Sequence, residues 1–455
     1  MKVTLGRGSV VVSFPPQELM SGLSRFRHAK NGDGEYEELY TLSTRQSLVT
    51  MPGFAKRVVG LCPEHRVRDE RIPLPEPDVE SALHGVPEVF HDVVRKALKA
   101  DGGVVCIPEI FGTAGFASAI ARAFPRDRLA ERGTPLTVVA AKDNDVRNVV
   151  LGMRKLLPDR KVAMGDCSGD DIIVVTYGMI KECPILDIGI LIGDDVACDS
   201  SDPGKTMVKR AECVSSLRNA ARWGVYSTAC GGAPDDLDLA AEGLFGPIAA
   251  SVGYKDAVKA GIAAPVTVCW MPAPRPNAQW GSAPFKTLSS LAMGDLFVNT
   301  VAEIAWRTPS DVGCIVCSDA KVQQKLMKAM DGAPSLVAVC KKTAVKDQRV
   351  AFGNIESGGV SRALVTWDAF PPATCQGVMV AATCGGREFA GAKFPWRSKE
   401  SENKVYIVDF SHGWDVHNGR PGVIARNDEA RKIRYAELGF SQMSISCIDQ
   451  LPFIG

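Results

Sequence analysis

The sequence has no long apolar run and no surplus of one charge. No stretch approaches the ~18 consecutive apolar residues that a membrane span needs, and the start, Met1 to Val11, lacks the apolar core of a signal peptide. The 53 Lys and Arg residues offset 52 Asp and Glu residues, which leaves a formal net charge of +1. No overall field therefore favours nucleic acid, and any such binding needs a local basic groove. We expect a cytoplasmic protein with no membrane partner.

A disulfide framework and a complete set of zinc ligands are also missing. The fourteen cysteines are scattered, mostly inside apolar runs such as Val104-Val105-Cys106-Ile107. Cys314 and Cys317 fall on a predicted strand, where residues three apart face opposite sides, and no second pair completes a zinc site. We predict buried thiols in a reducing compartment and no metal site.

What the sequence does contain is an alternation of short apolar strands and amphipathic helices from about residue 83. This rhythm predicts parallel βαβ units with helices on both faces of the sheet. Two such blocks of about 140 residues follow one another, so the fold class is α/β with two tandem parallel-sheet lobes. The predicted domains are an N-terminal α+β segment and linker (1–80), a first lobe (83–232), an inter-lobe connection (233–285), a second lobe (286–425) and a tail (426–455).

Four stretches add a resemblance to this framework. They are Gly102–Pro108 with Phe111-Gly112, Asp171–Gly178, Ser215–Ala229 and Arg362–Asp368. Together with the order of the elements over residues 83–440, they resemble superfamily 2 helicases of the phage and repair type. The resemblance implies two RecA-like lobes, of the helicase ATP-binding and helicase C-terminal types. It also implies ATP in the cleft between the lobes and a nucleic-acid strand on their upper surface.

The phosphate-binding loop of this family is altered here. Such a loop needs a Lys on the β- and γ-phosphates and a hydroxyl on Mg²⁺. The matching residues are Gly112, Thr113, Ala114 and Gly115, with Thr113 at the Lys position and Ala114 at the hydroxyl position. We interpret them as a vestigial phosphate loop; the alternative is a plain strand-to-helix turn without a ligand.

The other catalytic positions also differ from the residues that the family has there. Asp194 and Asp195 follow the predicted strand 188–192, where the family has Asp-Glu. Asp194 could still hold Mg²⁺ through water, but Asp195 is one methylene shorter than Glu. For the arginine finger, the resemblance leaves only Arg387 and Arg397. A finger is worth roughly 10³–10⁵ in rate, so these vestigial residues predict a pseudoenzyme without a cofactor. Mg-ATP is the cofactor if the site is active after all.

Nucleic-acid contacts could remain after the ATPase is lost. The resemblance places them in the loops that follow the strands, where a base could also stack on Trp367. The candidates are Lys142, Asn144, Thr176, Tyr177, Ser318, Lys321, Thr366 and Trp367. The alternative is a solvated charged surface.

Three functions stay open. The first is a degenerate helicase-like protein that binds nucleic acid, with DNA ahead of RNA, or a protein partner. The second is an active ATP-dependent DNA helicase or translocase with atypical motifs. The third is an interaction scaffold that does not bind nucleic acid. Fold alone does not choose among them.

Overall fold

The structure is a computed structural model that divides into two compact units, residues 1–253 and 254–455. Each unit has its own hydrophobic core. The residues that it describes are 2–6, 9–15, 17–21, 27–30, 35–43, 47–61, 66–141, 146–165, 171–182, 188–194, 196, 210, 213–214, 217, 220–228, 239–275, 294–308, 313–332, 336–340, 342–356, 362–366, 378–382, 405–417 and 419–454.

The first unit begins with a small mixed sheet. Its strands are β1 (Lys2–Leu5), β2 (Val10–Ser13), β5 (Tyr40–Ser43), β6 (Ser47–Thr50) and β7 (Arg66–Asp69), in the order β5-β6-β2-β1-β7, and β3 (Arg27–Lys30) pairs with β4 (Glu35–Glu38) in a separate hairpin. The prediction of a linker over residues 64–79 is wrong at its start. β7 pairs in parallel with β1 at the edge of the sheet. Because an edge strand can carry Arg and Asp side chains, its sequence has the charged pattern of a linker.

A seven-stranded parallel sheet follows in the same unit. Its strands are β8 (Gly103–Pro108), β9 (Leu136–Ala141), β10 (Val162–Met164), β11 (Ile172–Thr176), β12 (Ile188–Gly193), β13 (Ala221–Thr228) and β14 (Ile248–Ser251), in the order β10-β11-β9-β12-β13-β8-β14. All six residues of β8 and of β12 are buried. This burial is what a parallel sheet covered by helices on both faces requires.

The helices of the first unit connect these strands. They are α1 (Gln17–Ser21), α2 (Ala55–Gly60), α3 (Val79–Leu83), α4 (His91–Ala100), α5 (Gly112–Ala123), α6 (Arg126–Ala130), α7 (Val146–Leu156), α8 (Tyr177–Glu182) and α9 (Leu239–Phe245), with 3-10 turns at Pro52–Phe54 and Glu88–Phe90. The small sheet is joined to the lobe by Arg57, whose guanidinium gives two 2.5 Å hydrogen bonds to the Glu242 carboxylate on α9.

The second unit repeats the architecture. Its sheet contains β15 (Val266–Pro272), β16 (Gly313–Cys317), β17 (Leu336–Val339), β18 (Arg362–Thr366), β19 (Val378–Ala382), β20 (Val405–Ser411) and β23 (Ser441–Ser444), in the order β17-β18-β16-β19-β20-β15-β23. When its seven strands are numbered along the chain, this order is identical to that of the first lobe. The predicted fold class, two tandem parallel-sheet lobes with a small N-terminal segment, is therefore confirmed.

The remaining elements of the second unit are helices and a short hairpin. They are α10 (Tyr254–Lys259), α11 (Asp295–Arg307), α12 (Ala320–Ala329), α13 (Val345–Glu356), α14 (Val423–Glu437), a 3-10 turn at Ile448–Gln450, and the hairpin strands β21 (Val416–His417) and β22 (Arg420–Pro421). No helix in the described ranges has both the length and the apolar character to cross a bilayer.

Two predicted domain boundaries differ from the structure. Residues 233–285 were assigned to a connection, but β14 completes the first sheet and β15 lies inside the second. Residues 426–455 were assigned to a tail, but α14 packs on β20 and β23 pairs with β15. Both misassignments follow from composition: Pro and Gly suggested a connection around β14 and β15, and charge suggested a tail at α14, where Arg431 and Asp428 are in fact buried.

Candidate functional site

The vestigial phosphate loop lies between β8 and α5. The amide of Phe111 donates to the Pro108 carbonyl at 3.0 Å, which closes a turn directly after the strand. Gly112 begins α5 with a φ of +56°, a left-handed conformation that favours glycine. A strand, a turn and a helix are therefore present in this order, and the helix, which the sequence pattern predicts over 117–124, begins at Gly112.

Aromatic packing holds the loop of residues 112–115 in place. The Phe111 ring stacks on Phe90 with centroids 4.5 Å apart and an interplanar angle of 7°. The edge of the same ring lies against Gly115, where an added Cβ would be only 2.6 Å from Phe111 Cδ2. Gly115 is thus required by its contact with Phe111, a reason that involves no phosphate.

Thr113 and Asp194 are brought together across the carboxyl ends of β8 and β12. The Thr113 hydroxyl donates a short hydrogen bond to Asp194 Oδ1, and both residues are buried. The backbone amide of Asp194 donates to the Ala140 carbonyl at 2.8 Å. The structure thus places two of the candidate residues in direct contact with each other.

Tyr177 and Arg210 contact Asp194 from its carbonyl side. The Tyr177 hydroxyl donates to the Asp194 carbonyl at 3.2 Å, and Arg210 Nη1 donates to the same oxygen at 3.4 Å. The Arg210 guanidinium also lies 4.6 Å from the centroid of the Tyr177 ring, a cation–π contact. Gly193 allows this packing, because an added Cβ would lie 2.5 Å from the Tyr177 hydroxyl oxygen.

These residues do not fit Mg-ATP. A threonine stands where the phosphate-binding lysine belongs, and its hydroxyl is bonded to Asp194. Ala114 has no hydroxyl, and its methyl lies against α7, where a Cβ added to Gly152 would be 2.8 Å away. Glu109, which enters the turn, would add negative charge beside phosphates. The loop therefore offers neither the cation nor the metal ligand of an ATP site.

Several predicted site residues lie outside the part of the chain that the structure describes. They are Asp195, Arg387 and Arg397 of the catalytic set, and Lys142, Asn144 and Trp367 of the nucleic-acid set. Their predicted roles stay predictions.

The other nucleic-acid candidates differ in exposure. Lys321 is exposed, whereas Tyr177 and Thr366 are buried. Thr176 caps α8 by accepting a hydrogen bond from the Met179 amide at 3.3 Å. Ser318 follows Cys317, the register partner of Thr366, so Ser318 and Thr366 lie at the same edge of the second sheet. Which of them touches nucleic acid stays a prediction.

Arg210 and Ser227 were missed as site residues by the sequence reasoning. Arg210 was assigned only to a helix, and nothing in its neighbourhood signals a contact with Asp194. Ser227 lies in the recognised stretch 215–229, and its buried Oγ has no hydrogen-bond partner among the described residues. A Cβ added to Gly112 would lie 4.0 Å from that oxygen, which places Ser227 beside the loop.

The described ranges contain no group of three or more His, Cys, Asp or Glu residues that could hold a metal ion. Cys314 and Cys317 are both buried, and burial raises the pKa of the Cys106 thiol to about 12. Such thiols are poor nucleophiles and poor metal ligands, because the thiolate is the reactive form.

The fold defines a class of architecture: two tandem RecA-like parallel-sheet lobes with a small N-terminal sheet. Two solved structures have a fold similar to that of this chain. The chain is similar to S. cerevisiae Dbp5 bound to RNA and ADP BeF3, with 10% identity, 82% of this chain and 94% of that chain covered, and a TM-score of 0.53. It is also similar to a fragment of an HsdR subunit of a type I restriction enzyme from Vibrio vulnificus, with 13% identity, 94% and 81% coverage, and a TM-score of 0.52.

The chain shares with these two neighbours the fold of two tandem parallel-sheet lobes. At such low identity the likeness concerns the fold alone. A scan of protein-family models and a search of curated proteins each give no match.

Proposed function

We propose that this chain is a helicase-shaped pseudo-ATPase that binds nucleic acid through its two lobes. The observation that carries the proposal is the hydrogen bond between Thr113 and Asp194. In an active site of this class, a lysine and a metal ion stand between the loop and that carboxylate. Here the Thr113 hydroxyl donates directly to the Asp194 carboxylate, and both residues are almost completely buried.

The free energy of the missing hydrogen bonds favours a loss of catalysis rather than a site that is only weakened. Each hydrogen bond to a charged group that is missing from the phosphate cradle costs about 1.5–3 kcal/mol. Absence of the lysine and of the Mg²⁺-binding hydroxyl therefore removes most of the affinity expected of a nucleotide site. The scaffold itself is complete in both lobes, so nucleic-acid binding does not depend on the lost residues.

Thermal unfolding with Mg-ATP tests the nucleotide half of the proposal. A ligand at 100 times its dissociation constant contributes about 2.7 kcal/mol, which is easily seen as a rise in the melting temperature. We expect millimolar Mg-ATP to leave the melting temperature unchanged. A shift that saturates at micromolar nucleotide would contradict the proposal and favour an active ATP-dependent helicase.

A repaired variant serves as the positive control. Thr113→Lys, Ala114→Thr and Asp195→Glu together restore the family's residues, and we expect some recovery of nucleotide binding with weak turnover. Because Ala114 contacts α7 at Gly152, the pair Thr113→Lys and Asp195→Glu should be prepared beside the triple variant. Full ATPase activity in either would show that the arginine finger is intact and that the site needs only these residues.

A further inference from the structure

Positive charge is concentrated in two equivalent segments of this nearly neutral chain. Residues 146–164 contain five Arg and Lys residues and one Asp, and residues 320–346 contain six Lys residues and one Asp. These segments therefore carry net charges of +4 and +5, whereas the whole chain carries +1. The rest of the chain therefore carries a net charge of −8, and Asp145, Asp319 and Asp347 directly flank the two segments.

The two segments occupy the same place in the two lobes. The first is α7 followed by β10, and the second is α12 followed by β17 and the beginning of α13, with three of its six lysines after β17. β10 and β17 are the outermost strands at corresponding ends of sheets with identical strand order. Two helices at equivalent positions thus bear the same charge.

Both helices also place their charges in the same register. Arg147 and Arg154 are the second and ninth residues of α7, and Lys321 and Lys328 are the second and ninth residues of α12. Residues seven apart lie on one face of a helix, and all four of these side chains belong to exposed residues. Among the described helices of ten or more residues, α5, α7 and α12 contain no acidic residue, and α5 has a single arginine.

Among the residues that the structure describes, few carboxylates lie beside these faces; Asp143 and Asp145, which precede α7 in the sequence, are outside them. Arg154 is held by a backbone oxygen, since its Nε and Nη2 donate to the Val162 carbonyl at 3.0 and 2.8 Å. Asp171 lies 3.1 Å from Arg160 and 3.2 Å from Arg126, so two guanidinium groups share one carboxylate. Asp159 is the single acidic residue of the segment 146–164.

The face of α12 has two acids at its ends. The Asp319 carboxylate accepts the backbone amides of Lys321 and Val322 and so caps the helix, while Asp331 follows it. Within the helix, Lys325 is paired with Asp295, which leaves Lys321 and Lys328 to supply the exposed charge.

We propose that the exposed faces of α7 and α12 are phosphate-binding tracks, one in each lobe, that extend the nucleic-acid contacts from the strand-end loops down the length of these helices. The inference rests on the proposed function. From Arg147 to Lys155 the rise along α7 is about 12 Å, a length that spans about three phosphates of a stacked strand. Arginine is suited to this role because its planar fork binds phosphate oxygens in pairs.

Salt dependence of single-strand binding tests the tracks. The α7 variant is Arg147→Gln with Lys155→Gln, which leaves Arg154 on Val162, and the α12 variant is Lys321→Gln with Lys328→Gln. Each removes two phosphate contacts, so the slope of log affinity against log salt should become shallower by about 1.4 for a labelled single-stranded oligonucleotide. The matched controls are Arg95→Gln with Lys99→Gln on α4, and Lys259→Gln with Arg420→Gln in the second unit, and their slopes should equal that of the unaltered protein.

The outcomes separate this inference from the proposed function. If the unaltered protein binds the oligonucleotide and either helix variant keeps the original slope, the tracks are overturned while nucleic-acid binding stands. If the unaltered protein does not bind even at low salt, both fail. Polyglutamate is the second probe: if it binds through these same side chains as tightly as the oligonucleotide, the faces serve an acidic protein and the proposal is overturned.

Discussion

At the scale of single residues, Asp194 is bonded within the first unit. Its amide donates to the Ala140 carbonyl, its own carbonyl accepts hydrogen bonds from Tyr177 and Arg210, and its carboxylate accepts one from Thr113. Asp194 is thus a point where β9, α8 and α5 meet. Its importance should therefore be visible in stability, even with no nucleotide present.

Thr113→Val tests this directly, because valine has the shape of threonine without its hydroxyl. Loss of the donor leaves a buried carboxylate short of one hydrogen bond, which should lower the free energy of unfolding by about 1.5–3 kcal/mol. Urea denaturation measures the change. Thr4→Val on β1, at a half-buried position, is the control and should change stability by less than about 0.5 kcal/mol. Equal effects of the two substitutions would show that the Thr113–Asp194 bond contributes nothing.

Cys106 gives a prediction for alkaline pH. Burial raises its pKa from 9.0 to about 12, so the unfolded thiol loses its proton at a lower pH than the folded one. Between these values the unfolded state binds fewer protons, and the free energy of unfolding falls as pH rises, by up to about 1.4 kcal/mol per unit for this group. Below pH 9 its contribution is fully present.

Cys106→Ala should remove that component, making the decline in stability between pH 9 and pH 10.5 shallower than in the unaltered protein. Urea denaturation across this interval measures the two slopes. Cys447→Ala is the control, because Cys447 is exposed and should leave the slope unchanged. Parallel slopes for Cys106→Ala and the unaltered protein would contradict the buried protonated thiol.

At the scale of elements, the second lobe is held by a buried polar cluster between β20 and α14. Arg431 bonds to Asp409 at 3.0 and 3.2 Å and to Asp428 at 2.9 Å, and the Tyr435 hydroxyl donates to Asp409 at 3.2 Å. His412 is fully buried, and its Nδ1 lies 3.1 Å from Asp428. A charged helix that sequence analysis assigned to a tail is thus fixed to a central strand.

We therefore expect Arg431→Met to lower the stability of the protein strongly. It leaves Asp409 and Asp428 buried without their guanidinium partner, which should lower the free energy of unfolding by about 3–5 kcal/mol. Arg434→Met is the matched control on the same helix, since Arg434 pairs with Glu437 at the surface and should cost at most about 1 kcal/mol. Chemical denaturation compares the two, and similar losses would mean that the cluster does not hold the lobe together.

The elements that sequence could predict are those whose burial follows a simple period. The sequence predicts strands over 172–176 and 362–366, which are the bounds of β11 and β18, and helices over 145–157 and 321–330, which lie within one residue of α7 and α12. Fully apolar strands and one-sided helices carry such a local signal. β10, β14 and β23 were missed. They are three- or four-residue strands at sheet edges, and pairing partners far along the chain define them more than their own sequences do.

The site shows the same division. Thr113 and Asp194 could be predicted because each follows a buried strand in a recognisable pattern. Their direct bond could not, since it depends on the distance across two strands that are separated by 81 positions in the chain. Arg210 reaches Asp194 through a packing contact on the Tyr177 ring, and no local pattern encodes such a contact.

At the scale of the molecule, two lobes have an identical strand order, and a basic helix occupies the same place in each, α7 in the first lobe and α12 in the second. On the proposed function, nucleic-acid binding and nucleotide binding are uncoupled in this protein. A helicase that works as a motor shows the opposite behaviour, because nucleotide changes its hold on the strand.

The most direct test of that claim is fluorescence anisotropy of a labelled single-stranded oligonucleotide, measured over a series of salt concentrations with and without millimolar Mg-ATP. The account predicts binding at low salt that weakens as salt rises, with dissociation constants that are the same in the presence and absence of nucleotide. A dissociation constant that changes severalfold with Mg-ATP, or an absence of binding at the lowest salt, would contradict it.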